Sequence, residues 1–334
     1  MIPILSMPRA GRRMAIARRA ALCGALLLSP GLVRAQTPPS ACPPVAQMPT
    51  TTELQAGLDA ARDRGFLWRI SRDGRASWLY GTVHIGKLAW AFPGPQVRAA
   101  LVGADALALE IDLTDPAMTA QLSTQLRTPT TPVALPAELV QRIQQQVAAA
   151  CLPEQALAGL HPVMQAMTLT VLAARWDGLD PSYAQELTLA GFARASNKTV
   201  VSLESVESQV SLLIPAQAEQ AVTLADQSLQ QLEKGGARRV LARLAQVWER
   251  GLFDELGRYE AWCECALNDD ERAFMRRLND ERNPALADAI AAQHVQRRSV
   301  FAAVGALHMT GPQALPLLLA QRGFAVERIV FAPM

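Results

Sequence analysis

Aromatic residues and histidine are scarce in this 334-residue chain: 8 Phe, 6 Trp, 3 Tyr and 4 His, although half of the residues are hydrophobic. His-Glu-x-x-His, Gly-x-Ser-x-Gly and the Gly-x-x-x-x-Gly-Lys-Ser/Thr loop are all missing. Their absence sets aside the common zinc proteases, the nucleophile-elbow hydrolases and the P-loop nucleotide enzymes. The apolar stretch Ala20 to Leu28 falls well short of the roughly 20 residues that a membrane span needs. Cys263 and Cys265 form a lone Cys-x-Cys, without the second pair that a structural zinc site requires.

The N-terminus does carry a signal. Arg9, Arg12, Arg13, Arg18 and Arg19 stand without any acid, followed by the short apolar run and then Val33-Arg34-Ala35. Residues 1–35 therefore read as a signal peptide cleaved near Ala35, and the mature protein is expected in the periplasm or outside the cell. Cleavage removes six of 32 basic residues and none of 30 acidic ones, leaving 26 against 30 and a formal charge of −4. A mildly acidic chain with no basic stripe gives no electrostatic reason to expect nucleic acid or an anionic membrane as partner. Residues 36–55, rich in Pro, Thr and Ala, read as an extended lead-in, and 56–334 as one domain. In an oxidising compartment Cys42, Cys151, Cys263 and Cys265 point to two disulfides. A 263–265 bond closes a very short loop, so Cys263 and Cys265 are each expected to bridge to a different one of Cys42 and Cys151.

Short apolar runs ended by turn residues mark the strands. Phe66–Ile70 and Ala76–Tyr80 flank Asp73-Gly74, a strong hairpin signal. The second of them leads into Gly81-Thr82-Val83-His84. Ala106–Leu109 ends at Glu110, and Lys198–Leu203 ends at Glu204. Val300–Val304 leads into Gly305-Ala306-Leu307-His308; Pro312 suits the first turn of a helix running to Gln321, and Phe324–Phe331 returns as a strand. Between about 115 and 280 the spacing is mostly helical. The pattern predicts an α/β fold, a central mixed sheet with a site at its strand ends and a large helical insertion.

Two Gly-x-x-His turns at opposite ends of a His-poor chain are hard to explain by packing alone. His84, His308 and Glu110, each just past an apolar strand, would meet on one edge of a parallel sheet. Two imidazoles and a carboxylate make a plausible metal set with a position left for water. Several neighbours have plainer readings: Asp180 before Pro181 can cap a helix, Asn283 before Pro284 likewise, and Arg282 can pair with a nearby acid. Glu204 can cap, line the pocket, or orient a histidine.

The motifs Gly81–His84, Glu110, Asp177–Asp180, Val200–Glu204, Arg282-Asn283 and Gly305–His308, in that order, resemble the TraB/GumN family and its Tiki metalloprotease relatives over roughly Phe66–Phe331. The resemblance implies the fold shared with erythromycin esterases and ChaN-like haem-binding proteins. It also implies a metal-dependent, peptidase-like hydrolase acting on a peptide or small molecule. In it His84, Glu110 and His308 hold a divalent cation (Mn, Co or Zn), Arg282 acts in catalysis, and Glu204, Asp180 and Asn283 serve as substrate or supporting residues. The alternative it leaves open is a non-catalytic periplasmic binding protein whose histidines ligate haem or another small ligand.

Overall fold

The computed structural model describes residues 42–127, 133–265, 267–297 and 299–332; the signal peptide expected at 1–35 lies outside them. Six strands form one mixed sheet: β1 (Phe66–Arg72), β2 (Arg75–Thr82), β3 (Ala106–Leu109), β4 (Thr199–Ser202), β5 (Val300–Gly305) and β6 (Ala325–Ile329), in the order β4-β3-β5-β2-β1-β6. β4, β3, β5 and β2 are mutually parallel, whereas β1 is antiparallel to both β2 and β6. The hairpin turns at Asp73-Gly74 with φ of 53° and 71°, the left-handed pair that a two-residue turn between twisted strands requires. β3 and β5 are buried along almost their whole length, because helices cover both faces of this parallel part.

The connections decide where the strands end. Because β2, β3, β4 and β5 run the same way and are neighbours, their carboxyl ends form one continuous edge. The segments leaving that edge carry His84, Glu110, Glu204 and His308. Trp248, 1% exposed, locks this edge from behind: its indole N–H donates to the carbonyl of Gly81 at 2.7 Å. At the opposite end of β2, Ser77 Oγ lies 2.8 Å from His294 Nδ1, and both residues are fully buried. With Val300 N–H donating to the same Oγ, this Ser–His pair is a closed structural link.

Helices fill most of 116–278, interrupted by β4 at the sheet edge. Three of them, Ala137–Ala149, Pro162–Leu172 and Ala218–Glu233, build a second apolar cluster around Leu139, Ile143, Leu169 and Leu229. Among the described residues no helix is long and apolar enough to cross a membrane.

Three local expectations change. Residues 43–50 carry no regular element, but a helix opens at Thr51 inside the stretch read as lead-in, because Thr50 and Glu53 form a capping box. The last helix is Leu315–Gln321 with Pro316, not Pro312, in its first turn; a 3-10 turn, Ala306–Met309, comes first. The disulfides pair as Cys42–Cys151 and Cys263–Cys265, which corrects the pairing expected from loop length. Glu264 adopts φ 54°, a left-handed turn that brings the two flanking cysteines to the same side. The lead-in meanwhile is held on the helical part by Ala46 N–H to Asp180 and Gln47 N–H to the Tyr183 hydroxyl.

The two bonds should differ in worth. Cys42–Cys151 spans 109 positions and closes a long loop of the unfolded chain, so Cys42→Ser is expected to cost about 2–5 kcal/mol. Cys263→Ser opens a loop spanning only 2 positions and should cost less than about 2 kcal/mol. Urea midpoints of the two variants check this, and equal losses would contradict it.

Candidate functional site

Gly305 marks the centre of the site. A Cβ placed there would stand 3.3 Å from Glu110 Oε1, 3.5 Å from the His308 ring and 3.9 Å from His84 Nε2. The three residues singled out in the sequence are thus gathered around one point at the ends of β2, β3 and β5. Glycine at this position keeps the space between them open.

Glu110, 7% exposed, accepts the N–H of Gly305 at 2.7 Å on Oε1, and on Oε2 it accepts from Gln209 at 3.3 Å and from Arg282. Burial alone would raise its carboxyl. The facing His308, Arg282 and His84, with the Gly305 N–H, outweigh that and hold it down at about 2. Arg282 stands between the two buried glutamates. Its Nε donates to Glu204 at 3.0 Å, Nη2 to both Glu204 and Glu110, and Nη1 to the carbonyl of Leu278 at 2.9 Å and to His308 Nε2 at 3.2 Å. All five N–H donors of the guanidinium are therefore engaged by protein groups. Arg282 organises the glutamates and His308, and it has no free donor for a carbonyl.

His308 is 3% exposed, and its Nδ1 lies 2.5 Å from Asn283 Oδ1. An amide oxygen only accepts, so Nδ1 carries the proton and Nε2 offers its lone pair to Arg282. Asn283 itself is fixed by donating to the carbonyls of His308 and Gln313. Burial first, then the nearby positive groups, bring the imidazole down to about 4 despite Glu110 and Glu204, so the ring is neutral at pH 7.

His84 differs. Its Nδ1 lies 3.1 Å from Glu186 Oε1, a carboxylate that also accepts from the Thr82 hydroxyl. The carboxylate, opposed by burial, raises the ring to about 9. The ring is crowded by protein atoms, yet 70% of its side-chain surface is open to the cavity, where solvent screens the pair. Nε2 carries no hydrogen bond among the described residues. Nothing in the local sequence singled out Glu186, because an acid in the first turn of the helix Gln185–Ala195 is already explained by the helix dipole. Its burial was the signal: Gln185 and Glu186 are both buried at a position where apolar residues would serve the core. Gln209, bridging Glu110 and Glu204, was likewise unmarked.

Asp180 lies apart from this cluster. It caps the 3-10 turn Pro181–Tyr183, pairs with Arg175 at 2.7 Å, and its backbone bridges to Gly86, two residues past His84. It shapes the His84 loop without lining the cavity.

The donor set can be tested against a divalent cation. Glu110 Oε2 and His308 Nε2 both face N–H groups of Arg282, whose positive charge stands between them. Among the described residues no three His, Cys, Asp or Glu side chains are grouped to hold an ion. The side chains as they stand do not fit such a cation.

The fold is α/β, with buried acids and histidines around an open cavity at the carboxyl ends of parallel strands, the edge where open α/β sheets place their ligand sites. The chain belongs to the TraB/PrgY/gumN family, whose model matches residues 66–328. A search of the curated proteins and a search of the solved structures each found no match.

Proposed function

We propose that this protein is an exported hydrolase of carbonyl substrates in which His84 is the acid–base group and Glu186 its partner. The observation that carries this reading is His84 itself: Nδ1 tied to a buried carboxylate, Nε2 open to the cavity. In its neutral form Nε2 takes a proton from water, the water oxygen attacks the carbonyl carbon, and Glu186 stabilises the imidazolium that forms. The same Nε2–H then protonates the leaving group. Glu110, Glu204 and Arg282 hold the charge pattern around the space, and Asn283 keeps the proton of His308 on Nδ1 beside it.

With the ring raised by Glu186, the protonated form of His84 predominates at pH 7 and the neutral base is the minor one. The value of kcat/KM should therefore climb with pH, roughly tenfold per unit, and level off near 9. The measurement is a pH profile taken with and without chelator. A rising limb that survives chelation supports the reading. Activity lost to chelator and restored by Mn²⁺, Co²⁺ or Zn²⁺ would return His84, Glu110 and His308 to the ligand set that the family resemblance implies, with Arg282 displaced.

The open imidazole in an apolar cavity also supports a second reading, binding of haem or another small ligand without catalysis. A Soret band that appears on adding haem and is lost in His84→Ala would favour it over the hydrolase.

A further inference from the structure

The cavity beside His84 holds about 730 Å³, and its lining has two characters. Polar groups come from the strand ends and the segments just after them, among them His84, Glu110 and His308, and from two helices that supply Glu186 and Gln209. Beside the apolar residues that follow the strands, helices and one helix end supply Leu122, Leu126, Met164, Leu187, Leu212 and Leu278. All six are half-buried, and none belongs to either hydrophobic core of the protein. Large apolar side chains that the fold does not use, collected around one cavity next to a reactive imidazole, form a binding surface for an apolar group.

The kind of apolar group follows from what the walls cannot offer. An extended peptide needs partners for its own N–H and C=O groups, and each one buried unpaired costs about 1–3 kcal/mol. The backbone of these helical walls is spent on its own hydrogen bonds, and no residue of the edge strands β4 or β6 lines the cavity to pair with a strand. Apart from Glu186, Gln209 and Arg282, already engaged in the hydrogen bonds described above, Tyr259 and Asn279 are the polar side chains that the lining takes from the helical region. A hydrocarbon chain makes no such demand.

We infer that the substrate carries an aliphatic acyl chain, which lies along the leucine and methionine walls with its carbonyl carbon at His84 Nε2. This deepens the hydrolase reading and rests on it for the reacting bond: a water oxygen joins the acyl carbon, the bond to an alcohol or amine breaks, and the water proton passes through His84 to that leaving group. The products are a carboxylic acid and an alcohol or amine.

The test is calorimetric titration of the mature protein with laurate, below its micelle concentration, and with butyrate. Laurate should bind at least 100-fold tighter, since each buried methylene contributes up to about fourfold. The pair of substitutions Met164→Asn and Leu212→Asn should weaken laurate at least tenfold while the far-ultraviolet circular dichroism is kept. Equal affinity for the two acids, or laurate binding untouched by the folded double variant, would overturn the inference; if that variant does not fold, the ratio in the unaltered protein decides. Hydrolysis of p-nitrophenyl butyrate and laurate at equal kcat/KM would also overturn it. Selective laurate binding without turnover of either ester would instead remove the hydrolase reading and leave the acyl-chain site standing.

Discussion

Replacing His84 with glutamine is expected to lower kcat/KM by about 10²–10⁴-fold, the range that loss of a positioned acid–base group produces. Glutamine keeps a donor for Glu186 but cannot take up a proton, so the change removes the chemistry with the least disturbance to the buried carboxylate. The companion substitution, Glu186→Gln, makes the cause visible. Glu186 is the largest influence raising the ring to about 9, so without its charge the limb of the pH profile should move down toward the ordinary histidine value near 6.5. At pH 7 the variant would hold more of the neutral base than the unaltered protein, but its imidazolium would lack the carboxylate that stabilises it in the transition state. The expected result is a lower plateau reached at lower pH. A full rate in His84→Gln, or a Glu186→Gln profile that superimposes on the unaltered one, would sink the His84–Glu186 assignment.

How far the site could be read from the chain depends on which residues announce themselves locally. Gly81–His84 and Gly305–His308 each pair a short apolar run with a glycine and a histidine, and Glu110 ends a run of four apolar residues; the parallel arrangement of β2, β3 and β5 then puts the three together. Sequence patterns carry that much because strand length, chain reversal and side-chain polarity are all local properties. The roles are less local. Arg282 was legible as a site residue, but that all five of its donors are spent depends on Glu110, Glu204 and His308 arriving from three other segments. Glu186 reaches His84 across 102 positions, from a helix whose first turn gives an acid a sufficient reason to be there. The disulfides were misjudged for a related reason: the short loop looked prohibitive until the left-handed Glu264 turned it back on itself.

The second large effect is expected at Arg282. The guanidinium is the cation between Glu110 and Glu204, and all three side chains are at least 87% buried. Substituting methionine keeps much of the volume and removes the charge, which leaves two carboxylates facing each other in a poorly solvated site. Breaking a buried ion network by removing one partner costs about 3–5 kcal/mol, so Arg282→Met should show a clearly lowered melting temperature at pH 7. The dependence on pH distinguishes this cause from lost packing. In the unaltered protein Glu110 is depressed to about 2, so its contribution is fully present above its unfolded value near 4.5 and is lost as pH falls toward 2. Without Arg282 the like charges and burial raise the carboxyls instead, and protonation of one of them relieves the repulsion. The stability gap between the two proteins should therefore be widest at pH 7 and shrink between about pH 5 and 3. Lysine should rescue only part of it, because a single ammonium cannot reproduce a five-donor fork shared among two carboxylates, a carbonyl and an imidazole. A gap that stays constant from pH 7 to 3 would mean that Arg282 contributes by packing, and the electrostatic account of this site would have to be abandoned.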